Sequence, residues 1–281
     1  MLKIAETNNL NDIYNFQLGF EVPYFFSVDF EYWKKSFTED IDGEGRRLFK
    51  ELNTKVVYDN DKLVGFIQYG KTAFGFAENG EISSDISYPV IRNLYFNKDR
   101  IDAGKLLLND ALENLGNNER VYAFFHYFGM SCFARHGKLF DNYTYIEALL
   151  KENDFEVEHE NVYYSSTLNG EEKSDIVVTP HDLTKGNQQY IDFILEGSQV
   201  GGCEVHYLNE NIAYLRWIYV NGEITGKGIG TKCMKALKSF LYEKGFTRFD
   251  TDTAVNNTVA QHYYEKTGFK REGITKSYYC N

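Results

Sequence analysis

The sequence predicts an α/β (mixed α+β) protein made of two tandem domains, each with a mixed, mostly antiparallel sheet flanked by helices. Two observations predict this fold. Strand-like and helix-like segments alternate along the 281 residues, and the same order of elements occurs twice. That order is β-β-β-α-β-α-β, and the first copy has two further expected helices before Val56. A polar, glycine-containing stretch, NGEEKSD, separates the copies. We therefore expect domains at residues 1–168 and 176–281, joined by a linker at 169–175.

Each copy begins with a predicted β-hairpin. Residues 56–66 (VVYDNDKLVGF) and 193–205 (FILEGSQVGGCEV) place apolar runs on both sides of Asn-Asp or Glu-Gly-Ser, which favour tight turns. A third strand follows with a similar ending in the two copies, RNLYFN at 92–97 and RWIYVN at 216–221.

A helix is expected after the third strand of each copy, at 100–116 and at 228–245. In the second helix, apolar side chains recur every three or four residues, and Gly245 follows where a helix end is expected. Each copy then continues with a strand (RVYAFFHYF or FTRFDTDTAV), a helix (YIEALLKENDFEVE or AQHYYEKTGFKREG) and a last strand (ENVYYSSTL or ITKSYYC).

Composition and charge narrow the class of protein. The formal net charge is −11, which disfavours nucleic acid as a partner, because phosphate contacts supply most of the affinity for it. No 18-residue stretch is free of charge and the first residues do not resemble a secretory signal, so we expect no membrane and a cytoplasmic location. Four separated cysteines without a CxxC pair indicate reduced thiols and no metal site.

Charge is also divided unevenly between the copies. Residues 1–168 hold 17 basic and 27 acidic residues, a net charge of −10, whereas residues 169–281 have a net charge of −1. The second copy is therefore the better host for an anionic ligand.

The sharpest local signal is a glycine-rich loop that follows a strand and opens a helix. It reads Thr225, Gly226, Lys227, Gly228, Ile229, Gly230 and Thr231. Glycines let backbone N–H groups approach a phosphate, and the helix N-terminus adds unpaired donors and partial positive charge. The loop matches neither the Walker pattern nor the spacing of the dinucleotide fingerprint. From the loop alone, a simple turn before a helix remains an equal alternative.

A second segment supports a ligand site. Asn257, Ala260 and Tyr264 share one face of the predicted last helix, at spacings of three and four residues. They form a poor apolar stripe but a usable polar face beside a bound ligand. Taken alone, an N-cap asparagine with a half-buried tyrosine explains the same pattern.

Together these segments resemble the GCN5-related N-acetyltransferase (GNAT) family. The matching block runs from about Phe193 to the C-terminus, and it carries the strand ending in Tyr219 and Val220, the loop glycines, and Asn257, Ala260, Tyr264, Gly268 and Phe269. The resemblance implies that acetyl-CoA lies between two splayed strands. It also implies that the residues of 227–231 bind its pyrophosphate through their N–H groups, that its pantetheine arm pairs with Ile218, Tyr219 and Val220, and that Asn257 and Ala260 face it.

The resemblance also implies a reaction, the direct attack of an amine on the thioester. A backbone N–H near Tyr219 or Val220 would hold the oxyanion, and Tyr264 would protonate the departing thiolate. The base is either Glu223, just before the loop, or Glu204 on the preceding strand. Thr225 departs from the arginine or glutamine that is common at its position, which removes one phosphate-facing side chain.

The first copy resembles the same fold with its signature eroded, because the loop reads Arg-Ile-Asp-Ala-Gly-Lys from Arg100 and has one glycine instead of three. We expect it to act as a scaffold and as a wall of the acceptor groove, with Arg135, His136 and Tyr143 as candidates. The acceptor is a small-molecule or peptide amine. A non-catalytic acyl-CoA-binding or regulatory module is the alternative function, and neither acceptor nor oligomeric state follows from the sequence.

Overall fold

The structure is a computed structural model that describes residues 2–281 except 8, 24–27, 39–40, 42–44, 117–118, 134–136, 185–186 and 223–226. The chain forms two compact units. The first comprises Met1–Asp42, Arg46–Glu160 and Thr275–Asn281, and the second consists mainly of Asn161–Ile274.

Among the described residues, the first unit contains four helices, eight strands and the first part of a ninth strand. The helices are α1 (Leu10–Gln17), α2 (Phe30–Thr38), α3 (Ile101–Leu115) and α4 (Thr144–Lys151). The strands are β1 (Leu2–Glu6), β2 (Phe49–Asp59), β3 (Lys62–Thr72), β4 (Gly75–Phe76), β5 (Ile82–Ser83), β6 (Pro89–Phe96), β7 (Val121–Ala123), β8 (Leu139–Phe140) and β9 (Glu156–Thr167).

The second unit is built from the remaining elements. Its strands are β10 (Val177–Pro180), β11 (Gln188–Leu195), β12 (Ser198–Tyr207), β13 (Ile212–Val220), β14 (Arg248–Ala254) and the start of β15 (Lys270–Cys280). Its helices are α5 (Ile229–Glu243) and α6 (Thr258–Lys266).

Each unit holds a mixed, mostly antiparallel sheet flanked by helices, as the sequence predicts. In the first unit the strand order is β1-β2-β3-β6-β7-β15, and in the second it is β9-β14-β13-β12-β11-β10. The β6–β7 and β13–β14 pairs are parallel, whereas the other pairings described within these two orders are antiparallel. The predicted fold class is confirmed.

The predicted hairpins have the turn geometry that their sequences favour. Asn60 and Asp61 both adopt positive φ, at 47° and 68°, between β2 and β3. Glu196 and Gly197 do the same between β11 and β12, at 50° and 79°. Positive φ at both central residues matches the right-handed twist of the flanking strands, which explains why these short turns join long strands.

The bounds of the two compact units differ from the predicted domain boundaries at residues 168 and 176, and the difference concerns two strands. Residues 161–167 of β9 lie in the second unit, where β9 pairs with β14 from Thr167↔Arg248 to Asn161↔Ala254. The end of β15 lies in the first unit, where Tyr278, Tyr279 and Cys280 pair with β7. The sheet of each unit therefore contains a strand segment from the other predicted domain.

One predicted strand is much shorter than expected. RVYAFFHYF forms only β7, which ends at Ala123, because Phe124 has a φ of 53° and turns the chain out of the sheet. The phenylalanines that follow are buried instead: Phe125 and Phe128 pack in a cluster with Phe49, Phe74 and others. In the described part of the chain, no helix is long and apolar enough to span a membrane.

Candidate functional site

The strands β13 and β14 of the second unit separate along their length. They pair in parallel from Ile212↔Arg248 to Leu215↔Thr251, and the pairing ends there. On its other edge β13 continues to pair with β12 as far as Val220. The edge of β13 over residues 218–220 that faces β14 is therefore left with backbone N–H and C=O groups available to an extended ligand.

A β-bulge lies where the two strands begin to separate. Glu204 pairs with Trp217 and the next residue of β12, Val205, pairs with Leu215, so Arg216 is an extra residue in β13. A bulge bends its strand and increases the local twist. The bulge at Arg216 thus accounts for the direction in which the end of β13 leaves β14.

The described part of the glycine loop forms the N-terminus of α5. Gly228 is the N-cap residue, with a φ of 79°, and no side chain caps the first turn of the helix. A Cβ at Gly228 would meet no atom within 4 Å, so the space beside this turn is open. Ile229, Gly230 and Thr231 in the first turn are partly exposed. These first-turn N–H groups and the helix dipole suit an anion.

Some of the predicted site residues are not among those that the structure describes. Glu223, Thr225 and Gly226 lie outside the described residues, as do Arg135 and His136 of the first unit. Lys227 is exposed. The side chain of Lys232, directly after the loop, forms an ion pair of 2.8 Å with Asp175.

The helix α6 presents the second predicted group of residues. Asn257 is its N-cap, and the side-chain oxygen accepts from the N–H of Ala260 at 3.2 Å. Exposure falls along the predicted face, from exposed Asn257 through partly buried Ala260 to buried Tyr264. Both interpretations of the sequence thus have support: Asn257 caps the helix, and the three residues lie in a row.

Tyr264 lies close to the point where β13 and β14 separate. Burial raises the pKa of Tyr264, and a hydrogen bond with Thr251 partly opposes that shift. Thr251 is the last β14 residue that pairs with β13, and its hydroxyl donates to the carbonyl of Leu215 at 3.0 Å. The phenol is thus a protonated donor group beside the open edge of β13.

Tyr263, next to it in sequence, was not predicted as a site residue. Its hydroxyl donates to the carbonyl of Gly230 at 2.8 Å and so ties α6 to the N-terminus of α5. A Cβ at Gly230 would lie 3.4 Å from the Tyr263 ring. The only sequence signal for this contact was the presence of two consecutive tyrosines. Adjacent residues of a helix point to different faces, so Tyr263 had to lie off the face that carries Tyr264.

The predicted strand residues divide between two sides of the sheet. Ile218 and Val220 are partly buried against the core below α5, whereas Tyr219 is exposed on the other face. Alternation along a strand produces this division.

The alternative base, Glu204, is engaged by two neighbours. One carboxylate oxygen accepts from the guanidinium of Arg216, and the other accepts from the indole N–H of Trp217 at 2.8 Å. Glu204 therefore orients Trp217. A further carboxylate that sequence reasoning missed is Asp252, directly after Thr251, which accepts from the hydroxyl of Tyr214 at 2.7 Å.

In the first unit, side chains occupy the positions that correspond to the open strand edge and to the helix N-terminus of the second unit. The β6–β7 pairing ends at Ile91↔Ala123, and the guanidinium of Arg92 then donates to the carbonyls of Phe128 and Gly129, each at 3.1 Å. At the N-terminus of α3 the carboxylate of Asp102 accepts from the N–H of Ala103 at 3.0 Å. That first turn already holds an anion, which opposes a phosphate there.

Packing explains the surviving glycine of the first unit. A Cβ at Gly104 would lie 2.5 Å from the ring of Phe96, so only glycine lets α3 approach β6. Tyr143, a candidate for the acceptor wall, is largely buried, and its hydroxyl donates to the carbonyl of Glu21 at 2.9 Å. Among the described residues, no group of three or more His, Cys, Asp or Glu could hold a metal ion.

Comparison with curated proteins gives short matches. The chain is 39% identical over 57 residues to an aminoglycoside N(6')-acetyltransferase type 1 of Klebsiella pneumoniae, covering 20% of this chain and 28% of that protein. It is 41% identical over 54 residues to a kanamycin resistance protein of Rhizobium radiobacter, covering 19% and 50%. The chain thus spans half or less of the length of these relatives.

Solved structures match over the full length of the chain. A tandem GNAT protein from the clavulanic acid biosynthesis pathway has a TM-score of 0.63 at 10% identity, covering 100% of this chain and 98% of that one. A GCN5-related N-acetyltransferase from Sphaerobacter thermophilus has a TM-score of 0.56 at 11% identity, covering 99% and 95%. Residues 144–269 match the model of the acetyltransferase (GNAT) family. Residues 144–269 of the chain therefore match the GNAT family, and the whole chain has a fold similar to that of a tandem GNAT protein.

Proposed function

We propose that the chain is a cytoplasmic N-acetyltransferase that transfers the acetyl group of acetyl-CoA to a primary amine, by direct attack of the amine on the thioester. One observation carries the proposal: the unpaired edge of β13 at 218–220 lies in the same unit as an uncapped helix N-terminus at Gly228. A strand edge suits an extended amide-containing arm, and a helix N-terminus suits a pyrophosphate.

The second unit would hold acetyl-CoA through its backbone. The N–H groups of residues 227–231 would bind the pyrophosphate, with Thr225 and Gly226 in the same loop. Ile218, Tyr219 and Val220 would pair with the pantetheine arm, and Asn257 and Ala260 would line it. The open space beside Gly228 supports this arrangement, because a phosphate must approach the backbone there.

Bound acetyl-CoA would supply the acetyl thioester, and the chain's own groups would manage protons around it. Tyr264 would donate its hydroxyl proton to the sulfur of the departing coenzyme A. Its buried phenol beside Thr251 supports this role, because the raised pKa keeps the proton in place at neutral pH. Glu223 stays the predicted base, and Asp252 is a second carboxylate positioned beyond the point where the strands separate.

We propose the first unit, predicted as residues 1–168, as a degenerate domain that does not bind acetyl-CoA. The contacts of Arg92 with the chain after β7, and the carboxylate of Asp102 at the start of α3, both disfavour acetyl-CoA in this unit. The names of the curated relatives make aminoglycoside amines the first acceptors to test.

Two measurements on the full chain test the function. Isothermal titration calorimetry with acetyl-CoA should show one site per chain. Mass spectrometry should then detect acetylation in a panel containing kanamycin, spermidine, amino acids and a peptide. No binding of acetyl-CoA would contradict the proposal. Binding without acetylation of any member would instead support a non-catalytic acyl-CoA-binding module.

A further inference from the structure

The second unit has one sheet face that helices α5 and α6 do not cover. Along β11, β12 and β13, alternate residues such as Ile191, Cys203 and Ile218 pack into the core with these helices. The residues between them point to the opposite face. There Trp217 is 36% exposed and Tyr219 is 40% exposed, although both are large aromatic side chains.

The first unit covers the corresponding face with its own helices. By the alignment of RNLYFN with RWIYVN, Tyr95 corresponds to Tyr219. Tyr95 is only 1% exposed, and its ring lies 4.9 Å from the ring of Phe20, just after α1. The ring centroids of Phe66 on β3 and Phe37 of α2 are 6.2 Å apart. In the described part of the second unit, no helix precedes α5, so its aromatic face has no such cover.

The exposed rings on this face contact one another. The ring centroids of Tyr190 and Trp217 are 5.5 Å apart, and those of Trp217 and Tyr219 are 5.9 Å apart. The hydroxyls of Tyr190 and Tyr219 are within 3.1 Å. We call these three residues the aromatic platform.

Neighbouring residues fix the platform in place. The indole N–H of Trp217 donates to Glu204, which also accepts from Arg216. Gly202 lies beneath the rings, where a Cβ would be 2.8 Å from the Tyr190 hydroxyl and 3.0 Å from the Tyr219 ring. A larger residue at Gly202 would displace both tyrosines. The platform is thus a preorganised surface.

The charge beside the platform favours a cation. Asp192 on β11 and Glu204 on β12 lie on the same face as the rings, and Arg216 is the cation paired with Glu204. Asp192 contacts the imidazole of His181 at 2.8 Å and the amide of Gln199. Ring faces attract ammonium groups, and the carboxylates add to that attraction.

We infer that the aromatic platform binds the acceptor, and that the acceptor is a cyclic, hydroxyl-bearing amine with more than one ammonium group. A ring with a flat C–H face buries apolar surface on Trp217 and Tyr219, and its ammonium groups interact with Asp192 and the ring faces. A linear polyamine has no such face to bury. The inference rests on the proposed function, because the edge of the same strand β13 that faces β14 would hold the thioester arm.

Tryptophan fluorescence tests the inference without requiring activity. The chain has two tryptophans, and Trp33 is fully buried in the first unit. Kanamycin, as the probe, should change the fluorescence saturably in the unmodified protein and should not do so in Trp217→Phe. Spermidine should bind at least tenfold more weakly than kanamycin.

Kinetics provide the second readout. Trp217→Ala should raise the KM for kanamycin at least tenfold and leave the KM for acetyl-CoA unchanged, whereas the control Tyr242→Ala, an exposed aromatic on α5, should change neither. Acetyl-CoA binding without a kanamycin response, or spermidine binding as tightly as kanamycin, would overturn the platform inference alone. A kanamycin response without acetyl-CoA binding would support the platform and overturn the proposed function.

Discussion

Arg92 and Arg216 occupy the same position in the two units, as the extra residue of a β-bulge. In the first unit Gln68 pairs with Asn93 and the next residue pairs with Ile91, which skips Arg92. In the second unit the pairing skips Arg216 in the same way. Each arginine donates to the residue at the equivalent place on the neighbouring strand, Gln68 or Glu204. The internal repeat is thus visible at the level of single side-chain contacts.

The contacts of Arg92 predict a large loss of stability in Arg92→Met. The guanidinium is buried and donates to the carbonyls of Ser36, Phe128 and Gly129. Methionine leaves these acceptors without that donor, so the unfolding free energy of the first unit should fall by about 3 kcal/mol. Chemical denaturation would measure the loss. Calorimetry should find an unchanged Kd for acetyl-CoA, and a weaker Kd would contradict the assignment of cofactor binding to the second unit.

Tyr264→Phe should lower kcat more than tenfold and leave acetyl-CoA binding intact. The substitution removes the hydroxyl that would protonate the departing thiolate and keeps the ring among Tyr164, Tyr263 and Phe269. Steady-state kinetics and calorimetry on the same preparation would separate the two effects. An unchanged kcat would exclude Tyr264 as the acid.

Tyr263→Phe should weaken the binding of acetyl-CoA and leave kcat nearly unchanged, the reverse of the result expected for Tyr264→Phe. It removes the 2.8 Å hydrogen bond to the carbonyl of Gly230, which ties α6 to the first turn of α5. We expect the KM for acetyl-CoA to rise about five- to tenfold, because one lost hydrogen bond costs about 1 kcal/mol, and kcat to change little. If kcat falls and the KM stays constant, Tyr263 acts in the reaction rather than in positioning the loop.

Gly228→Ala tests the left-handed backbone at the N-cap of α5. A Cβ there meets no atom, so strain at a φ of 79° is the only local cost, on the order of 1 kcal/mol. We expect weaker acetyl-CoA binding and a small loss of stability in the second unit. Gly222→Ala is the matched control, since a Cβ at Gly222 also meets no atom and its φ lies outside the left-handed range. Equal effects of the two substitutions would exclude a specific role for the Gly228 backbone.

Asp250 predicts a pH dependence of stability in the second unit. Burial raises its pKa from 3.8 to about 6, although Arg248 and Tyr163 both bind the carboxylate. Between pH 4 and 6 the folded chain therefore holds a proton that the unfolded chain has lost. The associated stability is fully present below pH 4 and is lost as the pH rises through 6, by about 3 kcal/mol.

Comparison with Asp250→Asn isolates this contribution, because the other groups titrate in both proteins. The difference in unfolding free energy, unmodified protein minus variant, should decrease from pH 4 to 7 and then stay constant. An increase over the same range would mean that Arg248 keeps Asp250 ionised and its pKa low.

The sequence was sufficient for the elements that depend on local pattern. The two hairpins follow from their turn residues, and α3, α5 and α6 follow from apolar periodicity and caps such as Asn257. The glycines at 228 and 230 identify the start of α5 for the same local reason. The fold class and the resemblance to the GNAT family followed from these segments in combination.

Contacts between distant parts of the chain could not be predicted in this way. Asn161 and Thr167 pair with a strand about 90 residues later, and local pattern does not specify which strand that is. The bonds from Glu204 to Trp217 and from Tyr263 to Gly230 depend on a bulge and on helix packing. Phe124, with its positive φ, ended a strand that its aromatic sequence favoured.

The last strand has a consequence for synthesis on the ribosome. Because residues 278–280 pair with β7, the sheet of the first unit stays unfinished until residue 280 has emerged from the ribosome. The first unit therefore cannot complete its folding before the second unit has been synthesised, as an independent N-terminal domain could. Deletion of residues 275–281 would leave β7 without this partner strand, although the deleted residues are separated from β7 by roughly 150 residues of sequence.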